Sequence, residues 1–431
     1  ILAPQPNMKS LLNKFFFRRN NLDLISSKIK DISKNTPVSQ IFDIINSYSS
    51  TSELRYVGGC IRKVINNEKF DDIDLATNIE PTEVCSVLKK HNIEFYESGI
   101  DHGTITAIID GSKFEITSLR EDILTDGRHA KIKFCKDWKI DASRRDFTIN
   151  SIYSDKEGNL FDPYNGCDDI KRGKINFIGN PEKRVKEDYL RILRYLRFFL
   201  NYSKQPHDPK IIKALKMNLV GISNLSKERL IDELKKILKP NVLEGLSKDK
   251  IILEILVSIF PQLKYFNIFS KLNTNLRNIL SGADFIFIIS LLIIDETDNI
   301  DYFIYKFNLS KKDQKRIRNL SDFYKKKITS KTFTEKNLNL ILYHSGKETV
   351  TDILNYRMLK TNKLDNNIQS LINKFKLKTI PTMPFKADFL MSKYDIPEGK
   401  MLGEKLKIIK NKWIENNFQI SEKQIENIIN N

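Results

Sequence analysis

The 431-residue sequence predicts an α/β head built on a mixed or antiparallel sheet, followed by a mostly α-helical remainder. Three observations carry this reading. Up to about residue 180, short β-rich runs alternate with short helical periods and are separated by glycine turns. After Pro181 the apolar residues recur at helical spacing. Neither a repeat of ~20 to 50 residues nor a strict heptad is present, which argues against a solenoid.

The elements follow in order. An amphipathic segment from about Pro37 to Tyr48 leads into a strand at Leu54 to Val57. The tight turn Gly58-Gly59-Cys60-Ile61-Arg62 comes next, then a helix over Arg62 to Asn66 and an acidic strand over Ile73 to Leu75. Pro81-Thr82-Glu83 opens a helix with Val84, Val87 and Leu88 on one face. Gly103 to Ile109 and Lys113 to Thr117 read as strands joined at Asp110-Gly111, a hairpin signal. Lys186 to Leu200 reads as one helix, with Leu190, Leu193, Leu196 and Phe199 apolar and Asp188, Arg191, Arg194 and Arg197 on the polar side. Further helices are expected over Lys227 to Leu238, Ile251 to Ile259, Asp284 to Ile294 and Lys312 to Phe323. Pro381, Pro384, Pro397 and Gly399 punctuate a C-terminal region that ends in helices over Leu402 to Asn416 and Glu422 to Ile429.

Composition bounds the function classes. With 40% hydrophobic and 29% charged residues the chain reads as a soluble globular protein of two or more domains. Its net charge of +18 favours polyanionic partners without choosing among DNA, RNA and membrane headgroups. Cys60, Cys85, Cys135 and Cys167 are widely spaced and the five histidines form no cluster, which fits reduced thiols in a cytoplasmic protein better than disulfides or zinc. Leu11 to Arg19 sets Phe15, Phe16 and Phe17 beside Lys14, Arg18 and Arg19; it is too short for a signal or a span and reads as a packed or surface-lying arm. No membrane association and no obligate protein partner are implied. The chain starts at Ile1 rather than Met, leaving a truncated or processed start open.

Chemistry concentrates in the head. On a strand, Asp72 and Asp74 point to one face and can share a cation, while Gly58 and Gly59 let backbone N–H groups approach an anion. A solvated turn has roughly even weight for this pattern alone. Glu115 in Phe114-Glu115-Ile116-Thr117 is a third acidic group, either supporting a metal or simply exposed on the sheet. Arg120-Glu121-Asp122 and Thr125-Asp126-Gly127-Arg128-His129 read as a charged loop, a mobile lid or a solvated connection. In Ser143-Arg144-Arg145-Asp146-Phe147-Thr148-Ile149-Asn150, the arginines can neutralise phosphate, and Asp146 can orient one of them or bind a ribose hydroxyl; a structural salt bridge is the alternative.

Taken in order, these segments resemble the class II tRNA nucleotidyltransferase and bacterial poly(A) polymerase family. Gly58-Gly59-Cys60-Ile61-Arg62 with Asp72-Ile73-Asp74 is similar to its phosphate and metal motif, and Arg144 to Asn150 to its ribose-discriminating motif. Phe161-Asp162-Pro163-Tyr164-Asn165-Gly166 resembles its hinge element, Glu187-Asp188-Tyr189-Leu190-Arg191 its nucleobase template, and Glu228-Arg229-Leu230-Ile231-Asp232-Glu233 a helix that supports the neck. The match covers about residues 54 to 238; Ala387-Asp388-Phe389-Leu390 and Pro397 to Gly403 resemble a tail motif. One departure is Lys63, where the family usually has an aspartate after the motif arginine.

The resemblance implies a nucleotidyltransferase head at 51–180 after an N-terminal arm and lead-in helix at 1–50, then a helical neck at 181–245, body at 246–375 and tail at 376–431. It implies transfer of a nucleoside monophosphate from ATP or CTP to a tRNA acceptor end or other RNA 3′ end. Asp72 and Asp74 would hold two Mg2+ ions, one lowering the pKa of the attacking hydroxyl and the other neutralising the triphosphate, with Glu115 as a supporting carboxylate. Gly58, Gly59 and Arg62 would position the triphosphate, with Arg145, Asp146 and Asn150 near the sugar. Asp188 would accept from the exocyclic amine that cytosine and adenine share, and Arg191 would donate to the same edge; an intrahelical Asp188 to Arg191 pair is the alternative. Glu187, Arg194, Arg197, Glu228 and Arg229 would support the pocket, and Lys311, Lys312, Lys315, Arg316 and Arg318, with Lys325, Lys326 and Lys327 nearby, would follow an RNA backbone. The leading expectation is addition of C and A to the tRNA 3′ end, up to full CCA; the alternatives are CC or A addition alone, poly(A) synthesis, and an inactive RNA-binding protein.

Overall fold

The structure, a computed structural model, describes residues 23–70, 72–125, 130–326, 328 and 330–430. The expectations for Leu11 to Arg19, for Asp126, Gly127, Arg128 and His129, and for Lys327 lie outside the described residues. The chain forms two compact units whose sequence boundary falls between Glu233 and Leu234.

The first unit holds the sheet. Helix α1 (residues 23–35) buries Ile25, Ile29 and Ile32, and α2 (Val38–Asn46) buries Val38, Ile41, Phe42 and Ile45, each at helical spacing. Strand β1 (Leu54–Val57) runs into Gly58, whose φ of 68° suits glycine, and α3 (Gly59–Ile65) starts at once. The helix thus begins three residues earlier than expected. β2 (Asp74–Thr77) is followed by α4 (Pro81–Lys90), where Glu80 and Glu83 form a reciprocal cap and Val84, Val87 and Leu88 are buried. β3 (Glu94–Gly99), β4 (Thr104–Ile109) and β5 (Ser112–Ser118) form a meander, with Asp110 and Gly111 both at positive φ in the predicted hairpin turn. β8 (Tyr153–Ser154) and β9 (Leu160–Phe161) complete a seven-stranded sheet in the order β3-β4-β5-β2-β1-β8-β9. Its β2 to β5 pair is parallel and the others antiparallel, so the sheet is mixed, as expected.

Three local expectations are corrected. The acidic strand starts at Asp74, so Asp72 precedes it, and the two carboxylates are not successive same-face positions of one strand. The segment from Arg120 is not a loop: β6 (Arg120–Thr125) and β7 (Ala130–Phe134) form a separate two-stranded hairpin, and Arg120 is tied back by a guanidinium bond to the His102 carbonyl. Lys186 to Leu200 is not one helix: α7 (Pro181–Glu187) ends at Asp188, whose backbone is extended, and α8 (Leu190–Tyr202) begins after Tyr189. The Asp188 carboxylate accepts from the Leu190 N–H at 3.1 Å, capping the new start. Tyr189 sits so close to Gly221 that a Cβ there would lie 2.1 Å from its ring.

Between β7 and β8 lies α5 (Trp138–Arg144), capped by Asp137; after β9 come α6 (Gly166–Arg172), α7, α8, α9 (Pro209–Met217) and α10 (Lys227–Ile237), which includes the unit boundary. Gly166 is forced by packing, because a Cβ there would meet the Thr148 carbonyl at 2.2 Å.

Among the described residues the second unit is all helical. Phe285–Ile293 is apolar all round and buries eight successive residues from Ile286, the pattern of a central core helix. The helix Glu335–Thr361 is interrupted at Gly346, whose φ is 84°. Toward the C-terminus, Leu390, Ile396, Leu402, Ile409 and Ile425 form their own core. No helix among the described residues is long and apolar enough to cross a membrane.

Candidate active site

A cleft of about 420 Å³ opens in the first unit where the glycine turn, the end of α5 and the start of α8 converge. It is lined by Gly58, Gly59, Arg62, Asp74, Arg145, Asp146 and Asn150, and also by Asp188, Arg191, Arg194 and Arg197, eleven of the sequence-predicted site residues. Asp122, Arg144 and Phe198 complete the lining.

At the glycine turn the backbone crowds the acidic strand: a Cβ on Gly59 would lie 3.6 Å from Asp74 Oδ2, and one on Gly58 3.4 Å from Arg145 Nη1. Asp74 opens β2 in register with Glu115 of β5. Burial raises the Asp74 pKa, and Glu115 and Asp72 raise it further, against the opposing pull of Arg145 and Arg62. The acidic edge of the cleft is therefore short of positive charge, and a divalent cation suits it. Among the described residues no three His, Cys, Asp or Glu side chains form a ready-made metal cage, although Glu115 and Asp72 both lie near enough to act on the Asp74 carboxyl. One or two carboxylates completed by substrate phosphates is the usual Mg2+ arrangement, and this donor set fits it.

The arginines of the lining are already held in place. Asp141, 1% exposed, accepts from Arg144 Nε at 2.8 Å, from Arg145 Nη2 at 3.2 Å and from the Tyr153 hydroxyl at 2.6 Å. Burial alone would raise its pKa, but Arg145 and Arg144 outweigh that and hold the carboxyl down to about 2. Asp146 is likewise pushed up by burial and brought down to about 2, mainly by Arg194, which donates through Nε at 2.6 Å, and by Asn150 at 2.8 Å. Asp146 thus orients Arg194 and Asn150, the scaffold alternative, and Asn150 Oδ1 in turn accepts from Arg62. Arg62 is buried, its guanidinium 4.8 Å from the Phe198 ring and 5.2 Å from Tyr202. The Arg197 guanidinium lies 4.2 Å from the same Phe198 ring and pairs with buried Glu233.

At the start of α8, Asp188 and Arg191 both face the cleft, but other groups hold each of them. Asp188 Oδ2 accepts from Arg229 Nη2 at 2.8 Å, whereas Arg191 Nη1 donates to Glu187 at 2.6 Å. The break at Asp188 removes the expected helical i, i+3 relation, so the intrahelical pair is not formed. An acceptor and a donor remain oriented into the same space. Arg229 is closer to the chemistry than its supporting role suggested, while Glu228 is exposed.

Asp141, Tyr153, Arg184 and Glu233 carry much of this geometry and were not singled out as site residues. The spacing of Asp141 to Arg144 and Arg145, at i+3 and i+4 on one helix, was a readable signal for the first.

The predicted RNA surface in the second unit divides. Lys311, Lys312, Lys315 and Arg318 are exposed, Arg318 in an ion pair with Asp301. Arg316 is not available as a surface contact: its side chain is 12% exposed and is engaged by Asp284, Glu348 and Asp352.

The comparisons with known proteins agree with this architecture. Residues 54–176 match the Poly A polymerase head domain family, and residues 283–429 match tRNA nucleotidyltransferase domain 2. The chain is 46% identical over 192 residues to the human mitochondrial CCA tRNA nucleotidyltransferase 1, an alignment that covers 44% of each protein. It thus spans less than half the length of the human, mouse and zebrafish relatives it matches. It is 30% identical over 325 residues to a CCA-adding enzyme of Staphylococcus haemolyticus, covering 74% of this chain and 75% of that one. The fold is shared with the Bacillus stearothermophilus CCA-adding enzyme solved with CTP, at a TM-score of 0.67 and 20% identity over 91% of this chain and 97% of that one. It is shared also with the Thermotoga maritima CCA-adding enzyme solved with tRNA, at 0.63 and 20% identity over 94% and 98%. A mixed-sheet head with a glycine turn beside Asp74, a helical remainder and a relative of this identity and extent together establish that the chain belongs to the class II tRNA nucleotidyltransferase and poly(A) polymerase family.

Proposed function

We propose that this chain transfers C and A nucleotides from CTP and ATP to the 3′ end of tRNA. The observation that carries the reading is one cleft lined both by Asp74, whose carboxyl is raised in pKa, and by Asp188 and Arg191, an acceptor and a donor. The family assignment, and the names of relatives that are CCA-adding enzymes, support it.

Asp72 and Asp74 would hold Mg2+, which when bound activates the attacking hydroxyl and neutralises triphosphate charge. The protein's own side chains do the rest. The α3 N-terminus after Gly58 offers backbone N–H groups to phosphate, and Arg62 and Arg145, fixed by Asn150 and Asp141, supply oriented positive charge without reorganisation. At the base end, Asp188 accepts from an exocyclic amine and Arg191 donates to the adjacent ring acceptor, a pattern that cytosine and adenine satisfy. Guanine and uracil present a carbonyl to Asp188, an acceptor against an acceptor, and supply it no donor from the base.

The test is incubation of the protein with Mg2+, all four nucleotides and tRNAs ending before C, CC or A, followed by sequencing of the products. A completed CCA end supports full addition. Addition that stops at CC, or at A alone, identifies a partial enzyme, and a long adenosine tract a poly(A) polymerase. Asp72→Ala and Asp74→Ala should each reduce incorporation by at least about a thousandfold with the fold retained. Binding without extension by the wild type, or full activity in either variant, would overturn the reading.

A further inference from the structure

Helix α5 delivers Arg144 and Arg145 to the cleft, and its final carbonyls lie where the helix can no longer supply donors. Arg184 of α7, with its side chain only 12% exposed, fills that gap. Its Nη2 donates to the carbonyls of both Arg144 and Arg145, and its Nη1 donates to Glu187. Arg191 closes the same knot: Nη1 donates to Glu187 at 2.6 Å and to the Arg184 carbonyl at 2.8 Å, and Nη2 reaches the Arg144 carbonyl at 3.3 Å. Two guanidinium groups therefore cap one helix C-terminus, an end that favours positive charge. Arg184 itself is not part of the cleft lining.

We propose, resting on the functional reading above, that Arg184 is a positioning residue for nucleotide selection. Its planar fork holds Arg191, through Glu187, in a fixed relation to the end of α5 that carries Arg144 and Arg145. Alongside the direct contact of Arg191 with the Arg144 carbonyl, this side chain, itself outside the cleft, thereby ties the base reader to the segment that carries the phosphate-side arginines. A planar guanidinium can serve two carbonyls and a carboxylate together, whereas a lysine ammonium is a point donor on a flexible stem. Without the fork, Glu187 keeps only Arg191, and the pair can shift as a unit. A shift of about 1 Å in a positioning group can change rates a hundredfold.

The experiment compares wild type, Arg184→Lys and Arg184→Gln for single-nucleotide addition of each of the four nucleotides to tRNA ending before C or before A. Melting followed by Trp138 emission, with each protein in a Trp413→Phe background, serves as the fold check. The expected result is a fall of about tenfold or more in the ratios of kcat/KM for CTP over UTP and for ATP over GTP, in both variants. The loss should lie mainly in kcat for the correct nucleotide. If Arg184→Gln does not fold, Arg184→Lys decides the matter alone. An unchanged ratio in a folded variant, whatever its overall loss of rate, means a purely structural role and overturns the inference while leaving the functional reading intact. A wild type that shows no preference for C and A overturns the functional reading and this inference with it.

Discussion

Asp141→Asn is the perturbation that tests most directly what holds the cleft arginines in place. The carboxylate is 1% exposed and receives donors from Arg144, Arg145, Tyr153 and the Arg120 backbone N–H. An asparagine keeps the shape, removes the charge and turns an NH2 toward one of those donors. The carboxyl is held at about 2 against an ordinary value of 3.8, a difference of nearly two units. At 1.36 kcal/mol per unit this corresponds to about 2 kcal/mol, and leaving two buried guanidinium groups short of a partner brings the expected loss to between about 2 and 4 kcal/mol. The sign follows from a lowered folded pKa: the contribution is fully present above the unfolded value near 4 and is lost as pH falls through about 2. The assay is urea unfolding followed by Trp138 emission in a Trp413→Phe background, since the chain has two tryptophans and Trp138 packs edge-on to Tyr153. A single probe is needed because a two-unit chain need not unfold in one step. An unchanged midpoint at pH 7, or a difference between the proteins that does not shrink from pH 5 to pH 3, would refute the reasoning.

Two further outcomes are expected. Asp74→Asn should abolish incorporation yet stabilise the metal-free protein by on the order of 1 kcal/mol. Its raised pKa makes ionisation costly, so the gain should appear above pH ~4 and vanish below it; a less stable variant at pH 7 in chelator would contradict this. Arg316→Met should destabilise the second unit by about 3 to 5 kcal/mol, because it leaves Asp352, whose pKa burial already raises, without its partner. Trp413 emission in a Trp138→Phe background reads this, and a change under about 1 kcal/mol would show that the cluster is solvated.

What the sequence showed depended on how local the deciding interaction is. The strand Leu54–Val57, the Asp110-Gly111 turn and the buried face of α4 are set within a few residues and were legible. So was the gathering of the glycine turn, Asp74 and the Arg145 to Asn150 segment, because ordered motifs resembled a family whose chemistry needs them together. The break at Asp188 was not legible. Apolar residues keep helical spacing from Lys186 to Leu200, and the interruption is supported by Gly221 beneath Tyr189 and by Arg229, 41 residues away in sequence. Arg316 failed for the same reason: a run of like charges reads as a surface stripe until Asp284 and Asp352 arrive from other helices. The start of β2 at Asp74 is a one-residue matter of register, which composition does not specify.

Charge at the cleft is therefore distributed by role, not by count. Arg144, Arg145, Arg191, Arg194 and Arg197 each have an acidic partner in Asp141, Glu187, Asp146 or Glu233. A triphosphate entering the cleft would meet arginines whose direction is already fixed, and preorganised charge of that kind costs no rearrangement during reaction. The carboxylates divide in the opposite sense. Asp146 is lowered because its neighbours favour the ionised form, and it serves as scaffold. Asp74 is raised because burial, Glu115 and Asp72 all disfavour the ionised form, so it gains most from an arriving cation. Two aspartates in one cleft with pKa values driven apart mark different duties, and the direction of each shift assigns them.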